Sequence, residues 1–256
     1  MIDFHTHILP GVDDGAKSIE ETIELLKEAQ SVGVDKVILT SHYIESYYES
    51  NVKERTNIIN SAKKLLNDEK INIDLIIGNE IYISENINEL IINKKACSIN
   101  NTRYVLFELP FDIKPINLYD VIYEMLQNKY IPVLAHPERY TFVQKNPNLV
   151  YDLIQTGVLM QSNYGSCIGQ YGKKAQITVK KLLENDMVHF LGTDVHKMGT
   201  IYPKISQILA KIENIIGKDK LGLITNVNPE LVLENKEIEI PEPHKTKISL
   251  LDKILK

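Results

Sequence analysis

Short apolar runs rich in isoleucine, valine and leucine recur along the 256-residue chain, and each is followed by a polar loop and a segment with helical periodicity. This alternation predicts βα units with parallel strands. The pattern favours a barrel, closed or partly open, although a doubly wound open sheet gives much the same one-dimensional pattern. The predicted strands are the seven runs at residues 2–5, 36–40, 73–77, 104–109, 131–135, 158–161 and 189–192.

Helix start signals and apolar stripes lie between these runs. Ser18 with Glu21 has the spacing of a capping box, and Asn51 with Glu54 repeats it. Apolar residues follow both signals at intervals of three and four residues, which predicts two amphipathic helices. Further helices are predicted at residues 118–128, 149–155, 174–184 and 205–216.

The composition is that of an ordinary globular protein, with 43% hydrophobic and 25% charged residues. A length of 256 residues lies within the range of one α/β barrel, so we expect a single domain over residues 1–235. Residues 236–256 form a C-terminal tail whose last part is apolar and basic. We expect a short basic amphipathic helix there, packed on its own domain or frayed, with docking on a membrane surface or a partner as the alternative.

The net charge of -5 gives no overall attraction to a polyanion, so we do not expect a nucleic-acid partner. Two cysteines, Cys97 and Cys167, are too few for a disulfide framework, and no N-terminal stretch reads as a signal peptide. No apolar run approaches the roughly 20 residues that span a bilayer. We therefore expect a cytoplasmic protein without an integral membrane segment, and the oligomeric state stays open.

Metal-competent side chains follow six of the seven predicted strands. Parallel barrels and open parallel sheets both place their active sites at the carboxyl ends of the strands. A buried carboxylate needs a partner, and a metal ion supplies one. Salt bridges at a barrel mouth are the alternative, but the cluster holds five of the seven histidines and only one nearby arginine. The candidate ligands are His5, His7, Asp14, His42, Glu80, Glu108, His136, Asp194 and His196.

The first two of these ligands stand two residues apart, and alternation along a strand directs both imidazoles to one side, where they can share a metal ion. Counted with neutral histidines, the nine side chains carry a charge of -4 and are enough for two or three divalent ions. Three such ions would leave the site positive, so it would attract a phosphate dianion. Nitrogen and oxygen ligands without a thiolate suit manganese, iron or zinc.

These residues resemble the PHP (polymerase and histidinol phosphatase) superfamily and, within it, the bacterial capsule and exopolysaccharide tyrosine-protein phosphatases. The resemblance covers nearly the whole chain. It rests on the opening run at residues 1–15 and on the segments at 108–111, 135–139 and 193–196. It implies a distorted (β/α)7 barrel that holds up to three divalent ions, usually Mn2+, with Fe, Zn or Mg as alternatives.

The resemblance also implies how the ligands divide among the ions. One acidic residue would bridge two ions, and a pair of histidines would hold the third. The implied sets are His5, His7, Glu80 and Asp194 for the first ion, Glu80, Glu108 and His136 for the second, and His42 and His196 with nearby Asp14 for the third.

By the same resemblance, the protein would hydrolyse phosphotyrosine on a bacterial tyrosine kinase that regulates capsular or exopolysaccharide biosynthesis, and Arg139 would bind the substrate phosphate. Our hypothesis for the mechanism is attack by a metal-bound hydroxide, with a rim histidine, His42 or His196, or a metal-bound water as the proton donor to the leaving phenolate. Similar proteins tend to carry another arginine after the Asp-x-His segment. This chain has none at residues 197–204, so Lys197 or Lys204 is the expected substitute, as a point charge without the arginine fork.

Two rival functions share this metal site. One is a PHP phosphatase for a small phosphomonoester such as histidinol phosphate. The other is a non-catalytic regulator that binds the kinase, which the intact ligand set disfavours. Aromatic candidates to line the mouth are Tyr164 and the loop at residues 43–48.

The spacing of Cys97 and Arg103 matches the phosphate loop of cysteine-dependent tyrosine phosphatases only superficially. That chemistry needs backbone N–H groups around the phosphate, usually from glycines that lead into a helix. The segment between these two residues has no glycine and leads into a predicted strand. We therefore interpret the match as coincidence.

Overall fold

Strands in the computed structural model, which describes residues 1–246, correspond to all seven predicted runs. The runs at 36–40 and 73–77 are each followed, after a break, by a further short strand that the sequence did not predict, so the described residues contain nine strands. These are β1 (Ile2–Thr6), β2 (Lys36–Leu39), β3 (His42–Tyr43), β4 (Asp74–Ile77), β5 (Glu80–Tyr82), β6 (Tyr104–Glu108), β7 (Ile131–Ala135), β8 (Leu159–Asn163) and β9 (Phe190–Gly192).

The strands form two parallel sheets, in the orders β1-β2-β4 and β3-β5-β6-β7-β8-β9. The chain just after β9 lies beside β1, where the Asp194 amide donates to the His5 carbonyl at 2.7 Å and the His7 amide donates to the Val195 carbonyl at 3.0 Å. The sheets therefore curl around a common interior. This confirms the predicted fold class, a distorted α/β barrel, and excludes the doubly wound open sheet.

The breaks between β2 and β3 and between β4 and β5 are held by the guanidinium of Arg55, which is fully buried. Its Nη2 donates to the carbonyl of Leu39, at 2.9 Å, and to that of Gly78. In the same region, the side-chain Nδ2 of Asn79 donates to the Ser41 carbonyl at 2.8 Å. Side-chain donors thus take the place of strand hydrogen bonds at the breaks. Beyond the breaks, the short strands β3 and β5 join the second sheet.

Helices cover the outside of the barrel, and every helix predicted before the C-terminal tail is present. Asn51 and Glu54 form the complete capping box that the sequence predicts. At Ser18 the box is incomplete, because the Glu21 carboxylate accepts from the Lys17 amide instead. The helices are α1 (Ile19–Ser31), α2 (Val52–Asp68), α3 (Ile87–Ile92), α4 (Leu118–Gln127), α5 (Thr141–Lys145), α6 (Asn148–Gln155), α7 (Lys173–Glu184), α8 (Ile205–Ile216), α9 (Lys218–Gly222) and α10 (Asn228–Leu233).

The amino-terminal half of the barrel interior is filled by apolar side chains, among which Phe4 stacks on Phe190 with ring centroids 4.1 Å apart. The polar residues are confined to the other end. His5 reaches that end although its neighbour Phe4 also faces the interior, because the pairing of β1 with β2 shifts register between Asp3 and Thr6. The apolar plug therefore forms the floor beneath the polar cluster.

The start of the C-terminal tail lies on the domain. The His244 amide donates to the Asn185 carbonyl at 3.0 Å, and the Thr246 amide donates to Asn148 Oδ1 at 2.8 Å. The predicted amphipathic helix falls on residues 247–256, outside the described residues, and stays a prediction, as does the boundary at residue 235. Up to residue 246, no helix is long and apolar enough to cross a bilayer.

Candidate active site

The end of β1 and the start of β5 bring two imidazoles and a carboxylate together in the interior. His5 Nε2 lies 3.0 Å from His7 Nε2 and 3.1 Å from Glu80 Oε2. His7 Nε2 lies 3.3 Å from the same carboxylate oxygen. All three side chains are fully buried. Three atoms that can each donate an electron pair therefore point at a shared space.

Two further side chains determine which nitrogen of each histidine faces that space. His5 Nδ1 lies 2.8 Å from Gln161 Oε1, and His7 Nδ1 lies 2.8 Å from Asp13 Oδ2. The Gln161 amide is oriented by its own donation to Asn163 Oδ1. Because both partners accept, each Nδ1 carries a proton and each Nε2 faces Glu80, where it would offer its lone pair to a bound metal ion. Lone pairs this close repel one another unless a cation lies between them, so the donor set fits a divalent metal ion.

A second group surrounds the same glutamate. His42 Nδ1, on β3, lies 3.1 Å from Glu80 Oε2 and 3.0 Å from Glu108 Oε1 at the end of β6. His136 Nε2 lies 2.8 Å from the other oxygen, Glu80 Oε1. Among the described residues, buried His42 Nδ1 and Glu80 Oε1 make no hydrogen bond of good geometry. Such converging atoms without hydrogen bonds are expected of ligands that share a cation.

The geometry differs from the ligand division that the resemblance implies. The groups of converging donor atoms leave out His136 and Asp194 and add His7 to the rim histidines. The imidazole found 3.0 Å from Glu108 belongs to His42, whereas the resemblance pairs Glu108 with His136. Both oxygens of Glu80 contact imidazoles, which suits the bridging role expected of this residue.

A third group lies at the rim, where Asp14 is 53% exposed. Asp14 Oδ1 lies 3.3 Å from His196 Nε2 and 3.7 Å from His42 Nε2, and the His7 and His196 rings stack at 4.0 Å. His42 therefore presents one nitrogen to the second group and the other to the third. A neutral imidazole has one lone pair, so His42 can serve one ion at a time.

Asp194 divides its two carboxylate oxygens between two sets of partners. Oδ1 lies 3.4 Å from His7 Nε2 and 3.5 Å from His196 Nδ1. Oδ2 accepts from Arg139 Nη1 and from Asn163 Nδ2, each at 2.7 Å. One oxygen thus belongs to the candidate metal cluster and the other to the candidate phosphate-binding arginine.

Two site residues have left-handed backbone conformations, which cost roughly 1–3 kcal/mol for residues other than glycine. They are His136, with φ 34°, and Asp194, with φ 53°. The turn at Asp194 is secured from the preceding residue, because buried Asp3 accepts from the amide of Thr193 at 2.9 Å and from its hydroxyl at 2.7 Å. The surrounding structure therefore imposes the direction in which this ligand points.

The pKa values of the clustered groups depend on one another. Burial disfavours the charged form of His5, yet the carboxylates of Glu80 and Asp194 outweigh it and raise the pKa of His5 to about 9. Burial is likewise outweighed at His42, whose pKa rises to about 10 beside Glu80 and Glu108. Burial would raise the pKa of Glu80, but the surrounding histidines hold it well below its usual range. Without metal ions, protons on these imidazoles supply the positive charge that the buried carboxylates need.

The predicted cations differ in their distance from the cluster. Arg139, in the turn after β7, is bonded to Asp194 and is 23% exposed. Lys197 and Lys204 are exposed, and within residues 1–246 neither forms an ion pair with the cluster. Lys17, which sequence reasoning missed, donates from Nζ to the Asp13 carbonyl at 3.1 Å.

Of the two aromatic predictions, the one on Tyr164 is wrong. Its ring is fully buried and its hydroxyl lies 3.5 Å from Met1 Sδ, because the turn after β8 directs it into the core. Tyr171, later in the same connection, lies beside Arg139 instead. In the loop at residues 43–48, the Tyr48 ring lies nearly parallel to His42, with centroids 6.1 Å apart.

Cys97 and Arg103 do not form a phosphate loop. Cys97 is buried, its thiol lies 3.4 Å from Asn79 Oδ1, and burial raises its pKa. Arg103 precedes β6 at the opposite end of the barrel, 3.6 Å from Glu237. This separation agrees with our interpretation of the sequence match as coincidence.

Comparison with known proteins places this geometry in a family. The family model for capsular polysaccharide synthesis, CpsB/CapC, matches residues 1–234, and the chain belongs to that family. Over 194 residues it is 37% identical to a putative tyrosine-protein phosphatase, CapC, of Staphylococcus aureus, with 76% of each chain covered. Over 247 residues it is 32% identical to the tyrosine-protein phosphatase YwqE of Bacillus subtilis, covering 96% of this chain and 97% of that protein.

Solved structures agree with the family assignment. One solved structure superposes with a TM-score of 0.91 at 32% identity, covering 96% of this chain and all of that one. It belongs to the crystal structures of YwqE from Bacillus subtilis and CpsB from Streptococcus pneumoniae, which are described as unique metal-dependent tyrosine phosphatases. Histidinol phosphate phosphatase of Lactococcus lactis superposes with a TM-score of 0.55 at 16% identity, covering 88% and 94%. The second match shows a shared fold.

Proposed function

We propose that this protein is a metal-dependent protein-tyrosine phosphatase in capsular polysaccharide synthesis. Its substrate would be a phosphotyrosine protein, and a bacterial tyrosine kinase is the expected one. The observation that carries the proposal is the convergence of His5 Nε2, His7 Nε2 and Glu80 Oε2 within 3.3 Å of one another, beside an arginine bonded to Asp194. The tyrosine-phosphatase names of the relatives support the substrate class.

We propose manganese as the cofactor, with up to three ions. Divalent ions in such sites neutralise phosphate oxygens and lower the pKa of bound water. In each of three ligand groups, the donor atoms lie within 4.8 Å of one another. None of the groups contains a thiolate, and such nitrogen and oxygen ligands suit manganese, iron, zinc or magnesium. The groups are His5, His7 and Glu80; His42, Glu80 and Glu108; and His7, Asp14, His42 and His196.

Arg139 would bind the phosphate oxygens that face away from the ligand cluster. A guanidinium has five donors in a rigid fork, and of these only Nη1 is bonded within the described residues, to Asp194 Oδ2. Nε and Nη2 remain for two oxygens of a phosphomonoester. A charged fork of this kind stabilises a phosphate dianion more strongly than a neutral donor does.

The leaving phenolate, with a pKa of about 10, needs a proton only late in the reaction. His196 is 26% exposed and His42 is 14% exposed, so His196 is the more accessible donor. Burial lowers the pKa of His196, but its contact with Asp14 outweighs burial and raises the pKa. We assign His42 chiefly as a ligand. His196 can donate the proton only when it does not hold the third ion, because a metal-bound imidazole keeps its one proton on Nδ1, 2.9 Å from the Asp194 carbonyl.

Substrate preference tests the proposed function. Turnover of a phosphotyrosine peptide, a phosphoserine peptide and histidinol phosphate would be compared with manganese present, and the phosphotyrosine peptide is expected to be preferred. Preference for histidinol phosphate would instead indicate a small-molecule phosphatase. Cys97→Ser should keep full activity, since a metal-dependent mechanism has no use for the thiol.

A further inference from the structure

The guanidinium of Arg139 lies within cation–π distance of two aromatic rings. Its Cζ is 4.7 Å from the centroid of Phe111 and 4.3 Å from the centroid of Tyr171. Nη1 is tied to Asp194 Oδ2 at 2.7 Å. Two rings and one carboxylate therefore constrain this side chain, and we refer to Phe111 and Tyr171 together as the aromatic clamp.

Under the proposed function, Arg139 is the one arginine placed to contact the phosphate. The chain has three arginines. Arg55 is committed to the carbonyls at the strand breaks, and Arg103 lies at the other end of the barrel. Arg139 is thus the one arginine at the carboxyl ends of the strands. Because a bidentate contact depends on the orientation of the guanidinium plane, its restraint affects phosphate affinity directly.

The rings of the clamp are themselves fixed. Phe111 stacks on His136 with centroids 5.8 Å apart, and its carbonyl accepts from the Thr141 amide at 2.9 Å. Tyr171 lies between Gly169 and Gly172, whose φ angles of 81° and 90° form a tight turn that glycine adopts without strain. Neighbouring residues therefore support both rings beside Arg139, although Phe111 is 40% exposed.

We propose that Phe111 and Tyr171 are positioning residues that hold Arg139 in its phosphate-binding orientation. This proposal rests on the proposed function only in taking a phosphate group as the ligand. The clamp acts through the faces of its rings. The Tyr171 hydroxyl contributes little, since it lies 3.4 Å from Asp194 Oδ2, where shorter bonds from Arg139 and Asn163 are already made. The preorganised fork gains affinity because less side-chain freedom is lost on binding.

The test is a double-mutant cycle on the manganese-loaded protein, with inorganic phosphate as the probe and its dissociation constant measured by calorimetry. Tyr171→Leu should weaken phosphate binding by about tenfold, the size of a partly desolvated cation–π contact. Tyr171→Phe keeps the ring and should stay within about twofold of the parent protein. In an Arg139→Met background, Tyr171→Leu should cost nothing further, because nothing remains to be positioned.

Three results would overturn the proposal: equal losses in Tyr171→Phe and Tyr171→Leu, full additivity with Arg139→Met, or unchanged affinity in Tyr171→Leu. Manganese content and the melting temperature show whether each variant is folded and loaded. Phe111→Leu, at a residue that is 40% exposed, repeats the cycle at a site where misfolding is a smaller risk. Phosphate binding with coupled mutations but without turnover would contradict the proposed function and support the aromatic clamp. Turnover with additive mutations would contradict the aromatic clamp and support the proposed function.

Discussion

Arg55 and Arg139 are both held inside the fold, but their surroundings differ. Arg55 is fully buried, and its Nη2 donates to the Leu39 and Gly78 carbonyls at the strand breaks. Arg139 is 23% exposed. It has a carboxylate at one edge and two aromatic rings within 4.7 Å of its Cζ, and its remaining donors are unbonded within residues 1–246.

The difference separates a structural charge from a functional one. Arg55 is aimed at backbone atoms, and the strand breaks it maintains place His42 and Glu80 in the cluster. Arg139 keeps donors free at the mouth while its orientation is fixed. Burial alone therefore does not identify a functional arginine, whereas unused donors at a preorganised edge do.

The largest effect is expected at Arg139. Arg139→Met should lower kcat/KM by about 10²–10³, the usual loss of one charged transition-state contact. Its free energy of unfolding should fall by roughly 1–2 kcal/mol, because Asp194 is only 3% exposed and loses one charged donor while it keeps Asn163. Steady-state kinetics and urea unfolding of the manganese-loaded protein measure both, with Arg139→Lys as the matched control that keeps the charge and loses the fork. A variant that unfolds readily at normal kcat/KM would reverse the roles assigned to the two arginines.

Arg55 should show the opposite behaviour. Arg55→Met leaves two strand carbonyls unpaired, which should lower the free energy of unfolding by about 3 kcal/mol. Urea unfolding of the metal-free protein measures this loss. The control is Arg103→Met, whose partner Glu237 is 86% exposed and whose loss should cost about 1 kcal/mol or less. An unchanged urea midpoint in Arg55→Met would mean that the strand breaks do not depend on the guanidinium.

Between these extremes lie residues that orient ligands. Asp13→Ala removes the acceptor for His7 Nδ1 and should weaken manganese affinity by about 10–100-fold. Asp13→Asn keeps an acceptor oxygen and should lose less. Competition with a chelator gives both affinities. Equal manganese affinity in the parent protein and Asp13→Ala would show that Asp13 does not orient His7 for metal binding.

The smallest effect is a pH dependence of the metal-free protein. The pKa values of His5 and His42 are raised to about 9 and about 10, so their stabilising contribution is complete below the unfolded value of about 6.5 and is lost as the pH rises through the folded values. The chelated protein should melt at least about 2 °C lower at pH 9 than at pH 6.5. Manganese should stabilise more at the higher pH because fewer protons compete for the ligands. A melting temperature that rises with pH in the chelated protein would contradict this reading.

The strands and the clustered ligands were predictable because their signals are local. An apolar run that ends in a histidine or a carboxylate is visible in a few residues, and parallel strands gather such ends at one edge. The strand breaks were not predictable, since Arg55 makes them from a helix through contacts remote in sequence. The orienting roles of Asp13 and Gln161 and the exchange of Tyr171 for Tyr164 also depend on tertiary packing. The short helices α3, α5, α9 and α10 are too brief to show a period.

The central claim, that this cluster is the metal site of a tyrosine phosphatase, is tested most directly by the rate of phosphotyrosine-peptide hydrolysis before and after removal of metal. We expect chelation to abolish turnover, manganese to restore it, and Glu80→Gln, which weakens the carboxylate common to two ligand groups, to resist restoration. Turnover that persists in the chelated protein, or full turnover in Glu80→Gln, would contradict the account.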